Sequence, residues 1–101
     1  MCTGTQGDIA IAPVPAMNQG PLYSMATAAS RENETTNVRF NEVYLGFRVE
    51  VDESAAQNKT TSASEFASVY KEILARPEIR SSRVSVMSPD DIQGFKYARK
   101  F

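Results

Sequence analysis

The sequence predicts an α/β fold with parallel strands, on three observations. Candidate elements alternate in the order strand, helix, strand, helix, strand, the pattern that right-handed crossovers between parallel strands produce. The segment "VRFNEVYLGFRVEV" is dominated by β-branched and aromatic residues, which favour a pleated, half-buried surface. A capped stretch beginning at Ser62 has its apolar residues at helical spacing. Three parallel strands alone would bury a modest core and would need cover on both faces. The unit therefore reads as half of a larger sheet, or as one layer of an oligomer.

Residues 1–21 read as a strand followed by a Pro-rich loop. "GDIAIAPVP" sets Ile9, Ile11 and Val14 in a short apolar run that Pro13 and Pro15 stop. Residues 22–36 read as a short helix and turn: "LYSMATAASRE" is rich in Ala, the best helix former, and "NETTN" is polar. Residues 37–51 form the strongest strand candidate. Val38, Phe40, Glu42 and Tyr44 alternate with Arg39, Asn41, Val43 and Leu45, and Gly46 marks a bulge or break. Arg39 and Asn41 lie opposite the apolar positions, which suggests a solvated role. "DESAAQNKTT" reads as a polar surface loop. Glu50, Asp52 and Glu53, at the junction of strand and loop, read as a solvated strand end in preference to a metal or acid–base pair.

Residues 62–76 read as a capped amphipathic helix. Ser62 and Glu65 fit a capping box, and Phe66, Val69, Tyr70, Ile73 and Leu74 recur on one face as core. Pro77 ends the helix. Residues 83–87 alternate as a short strand. Residues 88–101 are a polar, basic tail, in which Pro89 and Asp90 can start a turn or short helix.

The totals bound the function. The chain has 101 residues and a net charge of −1, with no basic footprint for nucleic acid or an anionic membrane. No apolar run approaches the ~20 residues that span a bilayer, and no secretory signal pattern opens the chain. The two N-x-T sequons, at Asn33 and Asn58, then read as chance matches. Cys2 is the one cysteine and histidine is absent, which excludes internal disulfides, histidine-based triads and most zinc sites. A cytoplasmic protein is the expectation.

The stretches "GDIAIAPVP", "GPLYSMATAA" and "NVRFNEVYLGF" together resemble the second half of the short-chain dehydrogenase/reductase family. In that family a strand and loop lead to a helix carrying Y-x-x-x-K, and the next strand carries (I/V)-R-x-N-x-V-x-P-G. Tyr23 matches the Tyr. Val38, Arg39, Asn41, Val43 and Gly46 match the second pattern, with Leu45 in the usual place of proline. The resemblance covers most of the chain. It implies a partial Rossmann-like three-layer unit that lacks the N-terminal dinucleotide-binding half. It also implies an oxidoreductase linked to NADP or NAD, acting on a small hydrophobic ketone or alcohol of specialised metabolism. By resemblance Tyr23 is the proton donor, and Thr27 and Gly46 are cofactor-binding by position.

The departures lie in the chemistry. The lysine position holds Thr27, and the serine position, thirteen residues before the tyrosine, falls on Ala10. The stretch between Tyr23 and Asn41 is shorter than usual by roughly two helical turns. "TGTQG" echoes a phosphate turn, but no strand is expected before it and no helix after it. A free tyrosine titrates near 10, and bringing it to about 7 takes roughly 4 kcal/mol of phenolate stabilisation. A neutral threonine cannot supply that, so Tyr23 is expected to be an acid and a poor base. Tight dinucleotide binding by this chain alone is not expected. Expected partners are a small-molecule substrate and either a second copy or another chain at an open sheet edge, with neither nucleic acid nor membrane. Two other classes fit the same residues: a non-catalytic α/β association module, and a small protein enclosing a hydrophobic ligand.

Overall fold

In the computed structural model, which describes residues 1–101, the first strand is a short one at the start of the chain. Strand β1 spans Cys2–Gly4. A single turn of helix, α1 (Gln6–Ile9), follows, and then a long helix, α2 (Pro13–Glu32). Strands β2 (Glu42–Leu45) and β3 (Val49–Glu50) lead to helix α3 (Asp52–Asn58). Strand β4 (Thr61–Ser62), helix α4 (Ala63–Ala75) and strand β5 (Ser82–Val86) come next. A 3-10 turn (Pro89–Ile92) and strand β6 (Lys96–Arg99) complete the order.

The main sheet runs β1-β2-β5-β6, and β3-β4 form a small separate ribbon. β1, β2 and β5 are parallel, while β6 is antiparallel to β5. The parallel α/β arrangement expected from the alternation is present. Successive strand residues point to opposite faces, and the two faces differ sharply. Val43, Val84 and Val86 face α4 and join Phe66, Val69, Ile73 and Ile79 in the one hydrophobic cluster. The opposite face, carrying Thr3, Glu42 and Arg83, lies under α2 and is polar. Glu42 pairs in register with Arg83.

Several sequence expectations are corrected. Ile9, Ile11 and Val14 form no strand and are all exposed. Their prolines do not stop an element: Pro13 and Pro15 sit in the first turn of α2, where backbone N–H groups have no helical partner to lose. The helix continues through Pro21, so Tyr23 sits mid-helix and does not open one. "TGTQG" begins inside β1, with Thr3 and Gly4, and runs into a helical turn. The loop expected after residue 51 contains α3, seated by the buried Ala55 and closed by Lys59 in the left-handed region (φ 54). The expected polar tail adds a fourth strand, whose residues are all exposed and which is joined to β5 by backbone pairing.

Arg39 and Asn41 are not solvated. Arg39 donates to the carbonyls of Ile73, Leu74, Arg76 and Ile79, closing the C-terminus of α4. Asn41 donates to Ile79 O at 3.1 Å and accepts from Ser82 N at 3.1 Å. Both pin the α4–β5 turn to β2. Phe66, Val69 and Ile73 are core, but Tyr70 and Leu74 are exposed. They rim an apolar hollow with Met1 and Val43 beside β1, where the sheet ends and no further strand covers them.

At the start of α4, Ser62 Oγ accepts from Glu65 N at 3.1 Å. The Glu65 carboxylate takes the Ser62 hydroxyl at 3.2 Å instead of its backbone N–H. Asp52 adds a second anchor by accepting from Ser64 N at 3.0 Å. Ser62→Ala should cost about 1 kcal/mol, read as a Tm lower by about 4–8 °C in a thermal melt.

Candidate functional site

The polar face under α2 gathers the residues with chemistry. Tyr23 is on the eleventh position of the 20-residue α2, and its hydroxyl donates to Gly4 O at 2.5 Å. One turn earlier, Gln19 Oε1 accepts from Gly4 N at 2.8 Å. Two α2 side chains four residues apart thus take both backbone groups of the last β1 residue. These groups point away from β2, because alternate residues of a strand serve opposite neighbours. The helix spacing that puts residues i and i+4 on one face is what lets α2 close this part of the sheet edge.

Next to Tyr23 lies Tyr44, with ring centroids 6.0 Å apart. The Tyr44 hydroxyl donates to Asp8 Oδ2 at 2.8 Å. The Arg83 guanidinium lies over both rings, 5.1 Å from the Tyr23 centroid and 4.7 Å from that of Tyr44. Arg83 Nε donates to Glu42 Oε1 at 3.2 Å. Glu42 is fully buried. It also accepts from Thr3 Oγ1 at 2.6 Å and from Lys100 Nζ at 2.6 Å. Lys100 Nζ reaches on to Thr27 Oγ1 at 3.1 Å.

The position expected for an ammonium on α2 thus holds a threonine, and an ammonium arrives there from the end of the chain. The charges consist of two cations against one carboxylate, with Asp8 beyond Tyr44.

The titration behaviour follows from this layout. Burial pushes the Tyr23 hydroxyl above its ordinary value of 10.0 and the Asp8 charge adds to that, while Arg83 pulls it down without prevailing. Burial and the bond to Asp8 push Tyr44 up to about 12. For Glu42, burial raises the carboxyl, but the bonds from Lys100, Thr3 and Arg83 outweigh it and hold it below the usual range. Tyr23 is therefore protonated across the neutral range.

Tyr23 and Thr27 line one open hollow on α2 with Ser24, Ala28, Arg31 and Glu32. Gly46 does not join them. It borders a second hollow at the C-terminal ends of β1 and β2, with Gly4, Thr5, Gln6, Gln19 and Phe47. That is the end of a parallel sheet where ligands bind in open α/β folds. Gly4 belongs to this second hollow and accepts the Tyr23 hydroxyl, so Tyr23 stands between the two. Ala10, at the position of the family serine, is exposed at the end of α1 and in the left-handed region (φ 54). The chain leaves the sheet at Gly46, whose N–H donates to Val86 O at 2.9 Å.

A dinucleotide needs bare glycine backbone at a helix start to admit its pyrophosphate. The glycines here are already covered. A Cβ on Gly7 would lie 2.6–2.7 Å from the end of the Tyr23 ring, and one on Gly4 would lie 3.4 Å from Gln19 Oε1. A Cβ on Gly46 would lie 3.0 Å from Met87 Cα. The glycines of "TGTQG" make room for α2 side chains and leave no bare glycine turn for a pyrophosphate. No group of three or more His, Cys, Asp or Glu side chains is placed to hold a metal. The carboxylates near β3 are taken up locally: Glu50 accepts from Asn58 at 3.1 Å, from Arg48 and from Thr60. No helix is long and apolar enough to cross a membrane.

Sequence reasoning missed Glu42, Arg83 and Lys100. A carboxylate at an apolar-phase position of a strand was the available signal for Glu42, since charged residues are fully buried only when paired. Lys100 had no local signal, because its partners Glu42 and Thr27 are 58 and 73 residues away.

The chain is similar to the short-chain dehydrogenase/reductase iacG of Pestalotiopsis fici, at 46% identity over 103 aligned positions. The match takes in 97% of this chain, which spans 42% of the relative's length. The resemblance to that family, for a part of such a protein, is thereby shown, together with a partial Rossmann-like α/β unit. No family model matches the chain, and no solved structure matches it.

Proposed function

We propose that this chain, which matches part of a short-chain dehydrogenase/reductase, is the proton-donor half of such an oxidoreductase, with Tyr23 as the acid. The observation that carries the reading is the place of the Tyr23 hydroxyl, bonded at the C-terminal end of β1 to Gly4 O, whose residue lines the strand-end hollow. A tyrosine that is protonated across the neutral range is available as an acid and not as a base, so the favoured direction is reduction. In this reading Tyr23 releases Gly4 O and passes its proton to the oxygen of a small hydrophobic ketone of specialised metabolism. NADP or NAD serves as the redox partner, held by a half of the fold that these residues do not supply. The apolar rim of Tyr70 and Leu74 beside β1 gives that half, or a second chain, a surface to pack on. A cytoplasmic setting accompanies the reading.

The test is a hybrid in which this chain replaces the matched segment of the Pestalotiopsis fici relative. The hybrid should reduce small apolar ketones with NADPH or NADH. A folded, dinucleotide-binding hybrid with no reductase activity on a panel of such ketones contradicts the reading.

A further inference from the structure

We infer that Arg83 supplies, from β5, the positive charge that a threonine at position 27 cannot, acting through the ring of Tyr23 as a positioning residue. The inference rests on the reading of Tyr23 as proton donor, and it assigns that donor a partner from another element.

Two cations lie near α2, and their geometry separates them. Lys100 Nζ bonds to Glu42 at 2.6 Å and to Thr27 at 3.1 Å, so it is held at the lysine position of the family pattern but is spent on a carboxylate and a hydroxyl. Arg83 also bonds to Glu42, through Nε at 3.2 Å, and the rest of its planar guanidinium lies over the aromatic rings. Its Cζ is 5.1 Å from the Tyr23 centroid, inside the range in which a cation is attracted to a ring face. Glu42 accepts from both cations, and Arg83 is the one whose guanidinium lies against the Tyr23 ring.

When Tyr23 gives up its proton, the O–H bond breaks, the electron pair stays on oxygen, and the negative charge spreads into the ring. A cation over the ring face meets that charge directly. An arginine suits this place better than a lysine, because its plane can stack on the ring while Nε stays bonded to Glu42. The groups facing Tyr23 are Arg83 and, with opposite effect, Asp8 and Glu42, with the neutral Tyr44 alongside. The direction in which Arg83 moves the hydroxyl agrees with the geometry.

The test replaces Tyr23 by 3,5-difluorotyrosine, whose hydroxyl titrates near neutrality, and follows its single-site fluorine NMR signal with pH. Arg83→Gln should move the midpoint up by about one pH unit, and Arg83→Lys should recover part of that rise. In the labelled protein with Arg83 intact, the Arg83 Nε–H signal should shift with the same midpoint. An unmoved midpoint in folded Arg83→Gln overturns the inference. Where that variant does not fold, an Arg83 signal indifferent to the ionisation overturns it instead. The readout needs no turnover, so an inactive hybrid would refute Tyr23 as a donor and leave this result standing.

Discussion

Glu42→Gln should destabilise the protein by about 3 kcal/mol at pH 7, seen as a Tm lower by about 15 °C and a lower urea midpoint. The carboxylate is fully buried, and Lys100 is itself only 9% exposed. Removing the charge leaves that ammonium without a counter-ion, and removing one member of a buried pair costs more than the pair contributes net. A glutamine also turns an NH₂ group toward donors on Thr3, Arg83 or Lys100. Arg83 is about one-third exposed and can turn to water, which keeps the loss toward the lower end of the range.

The pH dependence has a definite sign. The Glu42 carboxyl is held below its ordinary value in the folded state: burial opposes this, but the bonds from Lys100, Thr3 and Arg83 prevail. Its contribution is therefore complete above the unfolded value of about 4.3 and is lost as pH falls through the lower folded value. Wild-type stability should drop on acidification below about pH 4, with a steeper slope than in Glu42→Gln. Equal stability at pH 7, or equal acid slopes, would contradict the account of the network.

The second large effect falls on catalysis. In the hybrid with the Pestalotiopsis fici relative, Tyr23→Phe should lower kcat by about 10²–10³-fold, the usual contribution of a placed general acid. KM should change far less. The same substitution removes the bond to Gly4 O, a separate cost of about 1 kcal/mol. A melt on the variant tells the two losses apart: a modest fall in Tm cannot account for a hundredfold loss of rate. The donor must be protonated, and the Tyr23 hydroxyl titrates above its ordinary value of 10.0. The reduction rate should therefore stay level through the neutral range and fall only at strongly alkaline pH. A variant retaining kcat within a few-fold would remove Tyr23 from the chemistry.

Much of the fold was legible where local rules and tertiary packing agree. Ser62 and Glu65 mark a helix start because the capping interaction is local, and Phe66, Val69 and Ile73 follow the helical period into the core. The alternation of β2 was readable from Glu42 to Leu45 but its phase was not: Val43 and Leu45, in step with Arg39 and Asn41, meet the hydrophobic core, and the strand is much shorter than the apolar pattern. The start of the chain was misread because prolines mark both loops and first helical turns, and only the tertiary setting separates the two at Pro13 and Pro15. β1 is three residues of Cys, Thr and Gly, with no apolar alternation to announce it. α3 has a single buried residue, Ala55, too little to set a period.

The site was legible only in part for the same reason. Tyr23 and Gly46 stand on motif positions, but the residues that set the character of Tyr23 come from elsewhere. Asp8 lies on α1, Arg83 on β5 and Lys100 beyond β6. Their partners are far away in sequence, and the register of β2 on β5 is what brings Glu42 to Arg83. Arg39 and Asn41 occupy matching motif positions, yet their side chains are spent on the α4–β5 turn. A motif match thus fixed their location and left their role to the packing.

The central claim is that this chain carries the proton donor and not the dinucleotide site. Titrating NADPH and NADH into the purified chain while following nucleotide fluorescence tests it most directly. With Gly4, Gly7 and Gly46 covered by Gln19, Tyr23 and Met87, the account predicts no saturable change in fluorescence. Tight, saturable binding would contradict it.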